Sequence, residues 1–211
     1  MLISLCLVPF NNSKNFARIL GQISNKIPYK IETIIIDNST DKYEIAAIQK
    51  TVKNYKEKLN TKYYGNNSIS LSEAVNKAID RAKGQYFIYL CSNHIWIYSD
   101  NFIQRMIEPM NKSGADMGGT ICYEVAKHIQ GGIYIAKTDI LKSFRYDEKR
   151  YPFSFMDVDI SQRMIKAGAE LINIPAVYSI MGNIMPDLHK EWLKNKEVAI
   201  CHSHFYQNIK E

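Results

Sequence analysis

Apolar runs and amphipathic stretches alternate along the first half of the sequence. The apolar runs are bounded by turn residues, which is typical of buried strands, and they cover residues 2–8, 31–36, 62–64 and 86–90. Apolar residues recur at helical spacing in the stretches between them, 16–23, 43–55 and 70–82. Ser99 is placed to cap a further helix, which Pro109 kinks or ends. This alternation predicts an α/β domain with a largely parallel sheet covered by helices on both faces.

The alternation loosens after Ser113. Short apolar runs predict strands over residues 117–122, 133–136, 171–174 and 177–180. Thr138 is predicted to cap a short helix that reaches Phe144, and residues 157–167 are predicted to form a helix ending at Gly168. The remaining residues, 183–211, are interpreted as a C-terminal tail.

Polar side chains follow the ends of the predicted strands. In open sheets of this kind, ligands bind beyond the carboxyl ends of the strands, so these residues are the candidates for binding. The candidates are Pro9, Phe10, Asn11, Asp37, Asn38, Gly65, Ser92, Asn93 and His94. Asp37 would accept hydrogen bonds from a nucleoside or cap the turn that follows it, and the sequence favours neither.

The segment from Cys91 to His94 also bears on metal binding. Asn93 and His94 can ligate a divalent cation, but a cation that handles phosphate prefers carboxylate oxygens, and the segment has none. Asn76 lies on the 70–82 helix and would point back toward the sheet edge. Taken alone, an inward polar side chain more often satisfies backbone groups than it binds a ligand.

Two acids, Asp157 and Asp159, stand in the first turn of a predicted helix, just after an aromatic turn. A helix dipole favours negative charge at this position, and an ionised carboxylate beside a pocket can act as a general base. The simpler interpretation is that acids are favoured in any first helical turn.

Composition narrows the class of protein. The chain has 211 residues, 46% of them hydrophobic and 23% charged, as expected of one globular domain. The formal net charge of +6 suits an anionic ligand or an anionic membrane surface. No basic run with interleaved aromatics points to nucleic acid.

Four cysteines without a paired spacing favour a reduced, cytosolic protein. The apolar start is a poor signal peptide, and no apolar run approaches the ~20 residues of a spanning helix. We therefore expect at most peripheral contact with the inner face of a membrane. The sequence leaves the oligomeric state open.

Together these features resemble the family 2 glycosyltransferases with the GT-A fold. The resemblance is carried by the segments 8–11, 37–41, 76–86, 131–144 and 151–159, in the family's order and spacing. It implies one domain over residues 1–182, with a nucleotide-binding half (1–113) and an acceptor-side half (114–182) that contains a smaller sheet. It also implies that Asp157 is the catalytic base, that Gly132 and Asp159 lie on the acceptor side, and that Asn76 adjoins the nucleotide.

The resemblance further implies an inverting transfer of a sugar from a nucleotide sugar, by default a UDP-sugar. The acceptor would be a hydroxyl of a glycan or lipid-linked glycan, as in capsule or lipopolysaccharide synthesis. The chain departs from the family's metal-binding Asp-x-Asp, which is replaced by Cys91-Ser92-Asn93, and from the acid before the base, which is Met156. A Mn²⁺ or Mg²⁺ ion could still enter with the nucleotide. The alternative hypothesis is a catalytically decayed relative that binds nucleotide or glycan within a complex.

Overall fold

The computed structural model describes residues 1–24, 28–65, 70–91, 95–97, 101–123, 126–174 and 178–180. The strands are β1 (Leu2–Leu7), β2 (Lys30–Asp37), β3 (Thr61–Gly65), β4 (Tyr86–Leu90), β5 (Ile95–Ile97), β6 (Met117–Cys122), β7 (His128–Lys137), β8 (Leu171–Asn173) and β9 (Tyr178–Ile180). The helices are α1 (Ser13–Ile23), α2 (Lys42–Leu59), α3 (Leu71–Arg81), α4 (Phe102–Ser113), α5 (Thr138–Phe144) and α6 (Met156–Lys166).

A seven-stranded sheet in the order β3-β2-β1-β4-β7-β6-β8 forms the centre of the molecule. The first four strands in that order are mutually parallel, as the alternation predicts, and β8 lies parallel to β6. Strand β7 runs antiparallel to both β4 and β6. Because β6 and β7 follow each other closely in the sequence, the chain has no crossover helix between them and can only turn back.

Strands 117–122 and 133–136 of the predicted acceptor-side half therefore extend the central sheet. The smaller second sheet consists instead of β5 and β9, paired antiparallel from Ile95–Ile180 to Ile97–Tyr178. The prediction did not include β5, because three residues are too few for an alternating pattern to be recognised.

Helices cover both faces of the sheet, and alternate residues of each strand feed one of two apolar cores. In β1, Ile3, Leu5 and Leu7 face a core that includes residues of α1, α2 and α4. Cys6 faces the other core, which includes residues of α3, α5 and α6. This period of two is the geometry of a strand buried on both sides, and it explains why every residue of β1 except Ser4 is apolar.

Of the two alternatives for Pro109, the structure excludes the one in which it ends the helix, and the predicted cap at Thr138 is wrong. Helix α4 continues past Pro109 to Ser113 and is capped by Gly114, which has a left-handed φ of 75°. Its buried apolar face outweighs the loss of one helical hydrogen bond. Thr138 does not cap α5 but is its first residue, because β7 leads directly into the helix after Lys137. Ser99 lies outside the described residues. None of the described helices combines the length and apolar character that crossing a bilayer requires.

The buried carboxylate of Glu32 connects β2 to strands β1 and β3 and to the segment after α3. Glu32 in β2 accepts hydrogen bonds from the Ser4 hydroxyl (2.7 Å), the Lys62 ammonium (2.6 Å) and the backbone N–H of Lys83 (2.7 Å). Burial raises the pKa of Glu32, but these three donors and the charge of Lys62 outweigh it and leave the pKa below its ordinary value. Glu32 therefore stabilises the fold as an anion.

This lowered pKa predicts a pH-dependent stability contribution. A carboxyl whose pKa is lower in the folded chain contributes fully above its unfolded pKa, about 4.3, and loses that contribution as the pH falls through the folded pKa. We expect Glu32→Gln to destabilise the protein at pH 7. The difference in unfolding free energy from the parent should shrink as the pH drops below about 4. Urea unfolding at several pH values measures it, and a difference independent of pH would contradict the assignment.

Candidate active site

The loops after β1 and β2 are joined by Asn11. This residue has a left-handed φ of 45°, and its backbone N–H donates to the Ser39 hydroxyl over 2.9 Å. Its side-chain oxygen accepts the backbone N–H groups of Thr40 and Asp41, each at 3.0 Å. These bonds satisfy the amide of Asn11 within the protein, and they hold the two loops together. We call the surface formed by residues 9–11 and 37–41 the ledge.

Asp37 ends β2 on this ledge and is almost completely buried. One of its oxygens accepts the backbone N–H of Ser39 (3.0 Å), the turn-capping role that the sequence left open. The other accepts the Tyr63 hydroxyl (2.7 Å). Burial and the hydrogen bond to Asp37 raise the pKa of Tyr63 to about 12, so it remains a donor at neutral pH. A carboxylate has about four acceptor sites, and these two hydrogen bonds fill two of those of Asp37.

The other predicted nucleotide residues lie around Asp37. The buried Asn38 donates its backbone N–H to the Pro9 carbonyl (2.9 Å), and Gly65 is the register partner of Asp37 on β3. Phe10 is 48% exposed, a large apolar side chain on the rim of the ledge. The structure thus brings residues 9–11, 37–38 and 65 together at the carboxyl edge of the sheet. Ser92, Asn93 and His94 lie outside the described residues.

Asp157 stands in the first turn of α6 and contacts β7. One carboxylate oxygen accepts the backbone N–H of Gly131 (2.8 Å), and the other accepts the N–H of Val158 (3.0 Å). The next residue of β7, Gly132, accepts the N–H of Cys91 directly after β4 (2.9 Å). Asp157 is therefore tied to the carboxyl end of β4. That strand is two strand spacings, about 10 Å, from β2 and Asp37.

Buried tyrosines lie near Asp157. The hydroxyls of Tyr146 and Tyr134 are hydrogen-bonded to each other, and the ring of Tyr134 stacks on Tyr89. Burial raises the pKa of Tyr146 far above its ordinary value, and the negative charge of Asp157 contributes to the shift. Burial also raises the pKa of Tyr134 and Tyr89, so all three phenols stay neutral at pH 7.

Helix α3 holds the segment that leads to Asp157. The amide of Asn76 donates to the Tyr146 carbonyl (3.0 Å) and to Glu148 (2.7 Å), and its oxygen accepts the Tyr146 N–H (3.0 Å). One turn earlier, the Ser72 hydroxyl donates to the Tyr151 carbonyl. Asn76 is satisfied by backbone groups, as expected for the residue taken alone. These bonds tie α3 to residues 146–148, and the assignment of Asn76 to the nucleotide pocket stays a prediction.

Asp159 is likewise bound within the protein. Arg163, one turn later in α6, donates to a single oxygen of Asp159 through two nitrogens, at 2.7 and 2.9 Å. The same guanidinium donates to the carbonyls of Phe144 and Arg145. The pair fastens α6 to the end of α5, and the acceptor-side role of Asp159 stays a prediction.

Met156, where the family has an acid, is buried against α3, with its sulfur 3.5 Å from the Ser72 hydroxyl. Among the described residues, no three acids, histidines or cysteines are grouped so that they could hold a metal ion. The predicted metal ligands Asn93 and His94 are not among those residues.

Residues 4–161 match the sequence profile of glycosyl transferase family 2. The chain belongs to this family. No curated protein sequence shows a significant match. The family assignment confirms the resemblance found in the motifs.

Solved structures of glycosyltransferases share the fold of this family 2 chain. The mannosyltransferase PcManGT from Pyrobaculum calidifontis, in complex with GDP-Man and Mn²⁺, has a TM-score of 0.70 at 13% identity, covering 83% of this chain and 55% of its own. TarS from S. aureus has a TM-score of 0.66 at 16% identity, covering 84% of this chain and 36% of its own. Glucosyl-3-phosphoglycerate synthase from Mycobacterium tuberculosis, with Mn²⁺, UDP and glucosyl-3-phosphoglycerate, has a TM-score of 0.65 at 13% identity, covering 85% and 71%.

These matches show that the chain has the GT-A fold. The chain spans about half of the first of these proteins and about a third of the second.

Two site residues of this family 2 chain escaped the sequence analysis. Tyr63 holds Asp37, and its only signal was its place near the end of a short predicted strand. Gly131 contacts Asp157, which lies 26 residues later, and no local pattern in the sequence indicates this contact.

Proposed function

We propose that the chain is an inverting glycosyltransferase that moves a sugar from a nucleotide sugar, by default a UDP-sugar, to a hydroxyl of a glycan or lipid-linked glycan. One observation carries the proposal. A carboxylate, Asp157, is tied through Gly131 and Gly132 to the end of β4, at the same sheet edge as the ledge around Asp37. Family membership supports the donor class.

The ledge would receive the nucleoside. Asp37 can accept a hydrogen bond from a base or ribose donor, and the exposed Phe10 offers an aromatic surface. Pro9, Asn11, Asn38 and Gly65 shape the pocket. Because Tyr63 and the Ser39 N–H orient the Asp37 carboxylate, the pocket is organised before a ligand arrives.

Asp157 would then serve as the base. The acceptor oxygen attacks the anomeric carbon from the face opposite the diphosphate, and the bond to the diphosphate oxygen breaks as the new bond forms. The proton of the acceptor hydroxyl passes to the Asp157 carboxylate, and the nucleoside diphosphate leaves with the electron pair. The sugar changes anomeric configuration because a single displacement occurs. The neutral tyrosines near Asp157 supply no competing base.

A divalent cation, Mn²⁺ or Mg²⁺, would neutralise the charge that develops on the departing diphosphate. Asn93 and His94 are the side chains proposed to meet it. Both are neutral donors and hold a hard cation more weakly than carboxylates do, so the nucleotide would contribute much of the binding. Solved structures of the same fold contain Mn²⁺ beside GDP-Man or UDP.

The biological role that we propose is the synthesis of a surface polysaccharide, such as a capsule or lipopolysaccharide, in the cytoplasm or at the inner face of the membrane. The net charge of +6 is compatible with anionic donors and with an anionic lipid surface.

A ligand screen tests the proposal. The melting temperature is measured with UDP-, GDP-, CMP- and dTDP-sugars, each with and without Mn²⁺. A true donor at 100 times its dissociation constant adds about 2.7 kcal/mol of stability and raises the melting temperature. Release of the nucleoside diphosphate in the presence of glycan acceptors then measures turnover. Binding without turnover would support a catalytically decayed binding subunit, and the absence of any binding would contradict the donor class.

A further inference from the structure

Strand β7 leaves its regular pairing next to Asp157. Its register with β6 changes from Tyr134 opposite Gly119 to Ile129 opposite Ile121. Four residues of β7 therefore face a single residue of β6, and the strand bulges. On the other side, the ladder with β4 continues past Ile133–Leu90 to the bond between the Gly132 carbonyl and the Cys91 N–H. Bulges are frequent beside active sites because they redirect backbone and side-chain groups.

The bulge directs the N–H of Gly131 toward Asp157. This N–H donates to the carboxylate over 2.8 Å. A Cβ added at Gly131 would lie 2.9 Å from that same oxygen, 3.3 Å from Cγ and 3.4 Å from Cβ of Asp157. Gly131 is not among the described glycines with positive φ, which are Gly114 and Gly168. A glycine is therefore needed at position 131 because a side chain would crowd Asp157, and not because of the backbone conformation.

The start of helix α6, which carries Asp157, is held in place and cannot easily move away from β7. The other oxygen of the carboxylate accepts the N–H of Val158, and the preceding Phe155 has a left-handed φ of 58°. The segment before it is fastened to α3, where the backbone N–H of Ser72 donates to the Pro152 carbonyl (3.1 Å). A side chain at position 131 would therefore displace the carboxylate before it displaced the helix.

We propose that Gly131 is the positioning residue of the catalytic base. Its N–H donates a hydrogen bond to one oxygen of Asp157, and its lack of a side chain leaves room for the carboxylate. The inference rests on the proposed function. A base must come within hydrogen-bond reach of the hydroxyl that it deprotonates, and an error of about 1 Å can lower the rate 10²-fold. Donor binding at the ledge around Asp37 does not involve this contact.

The test is a double-mutant cycle with Gly131→Ala and Asp157→Asn. We expect Gly131→Ala to lower kcat about 10²-fold and to change the KM for the donor less than about twofold. In the Asp157→Asn background, the same substitution should change kcat less than about threefold, since the group that it displaces is already inactive. Gly21→Ala is the matched control, because a Cβ there meets only the Tyr55 hydroxyl at 3.4 Å inside α1.

The outcomes separate this inference from the proposed function. If the parent chain turns over donor but Gly131→Ala keeps its kcat, or lowers it equally in both backgrounds, the positioning role is wrong and the function stands. A parent chain that turns over no donor overturns both. If Gly131→Ala does not fold, amide hydrogen exchange decides: Asp157→Ala should speed exchange at the Gly131 N–H at least about tenfold, and an unchanged rate overturns the inference.

Discussion

Replacing Asp157 with asparagine is expected to lower kcat roughly 10²- to 10⁴-fold, the usual contribution of a positioned general base. Asparagine keeps the shape of the side chain but cannot take the proton of the acceptor hydroxyl. The KM for the donor should remain within about twofold, because Asp37 ends β2, which is three strand spacings from the strand β7 that Asp157 contacts. Initial rates of nucleoside diphosphate release measure both parameters.

The substitution has a structural effect that must be separated from the chemical one. Both carboxylate oxygens of Asp157 accept backbone N–H groups, and an asparagine can offer an oxygen to only one of them. The other N–H then faces an amide NH₂, which costs about 1 kcal/mol of stability. Assays must therefore run well below the melting temperature of the variant.

Asp139→Asn provides the matched control for this experiment. Asp139 is also an acid in the first turn of a helix, α5, but it is exposed. If helix-dipole interaction were all that Asp157 contributed, the two variants would behave alike. A kcat for Asp157→Asn within threefold of the parent would refute the role of Asp157 as the base, because the chain would then turn over donor without it.

The sheet was predictable because strand burial leaves a direct trace in the sequence. Both faces of β1, β2 and β4 are covered, so most of their buried residues are apolar, with Ser4, Glu32 and Thr33 among the exceptions, and turn residues mark their ends. The antiparallel direction of β7 could not be predicted from the sequence, because parallel and antiparallel strands bury the same kinds of side chains. The pairing of β5 with β9 joins segments more than 80 residues apart and could not be read from local pattern.

The site was predictable to the extent that it depends on topology. The rule that ligands bind beyond the carboxyl ends of parallel strands grouped residues 9–11, 37–38 and 65 without knowledge of any side-chain contact. It could not indicate the partners of Asn76, because Tyr146 and Glu148 are some 70 residues away and are brought to it only by the packing of α3. Asp159 had a local signal, Arg163 four residues later, which is the spacing of a helical ion pair.

Replacing Gly84 with alanine is expected to lower the free energy of unfolding by at least about 3 kcal/mol. A Cβ at this position would lie 2.5 Å from the backbone nitrogen of Ser4 and 2.8 Å from the carbonyl carbon of Ile3. These are backbone atoms of the central strand β1, so they cannot move aside as a side-chain tip can. Thermal unfolding should show a decrease of at least about 6 °C for a chain of this size.

The expected loss exceeds simple crowding because Gly84 belongs to the Glu32 network. The Gly84 N–H donates to the Ser4 hydroxyl (2.8 Å), which donates in turn to the buried Glu32 carboxylate (2.7 Å). Pushing β1 away from residue 84 would stretch both bonds and leave a buried anion less well solvated. Gly65→Ala is the control, since a Cβ there meets only the Tyr63 side chain at 3.8 Å. Equal stability of the two variants would show that β1 can shift to accommodate the added methyl group, and that close packing against Gly84 does not determine the stability of the fold.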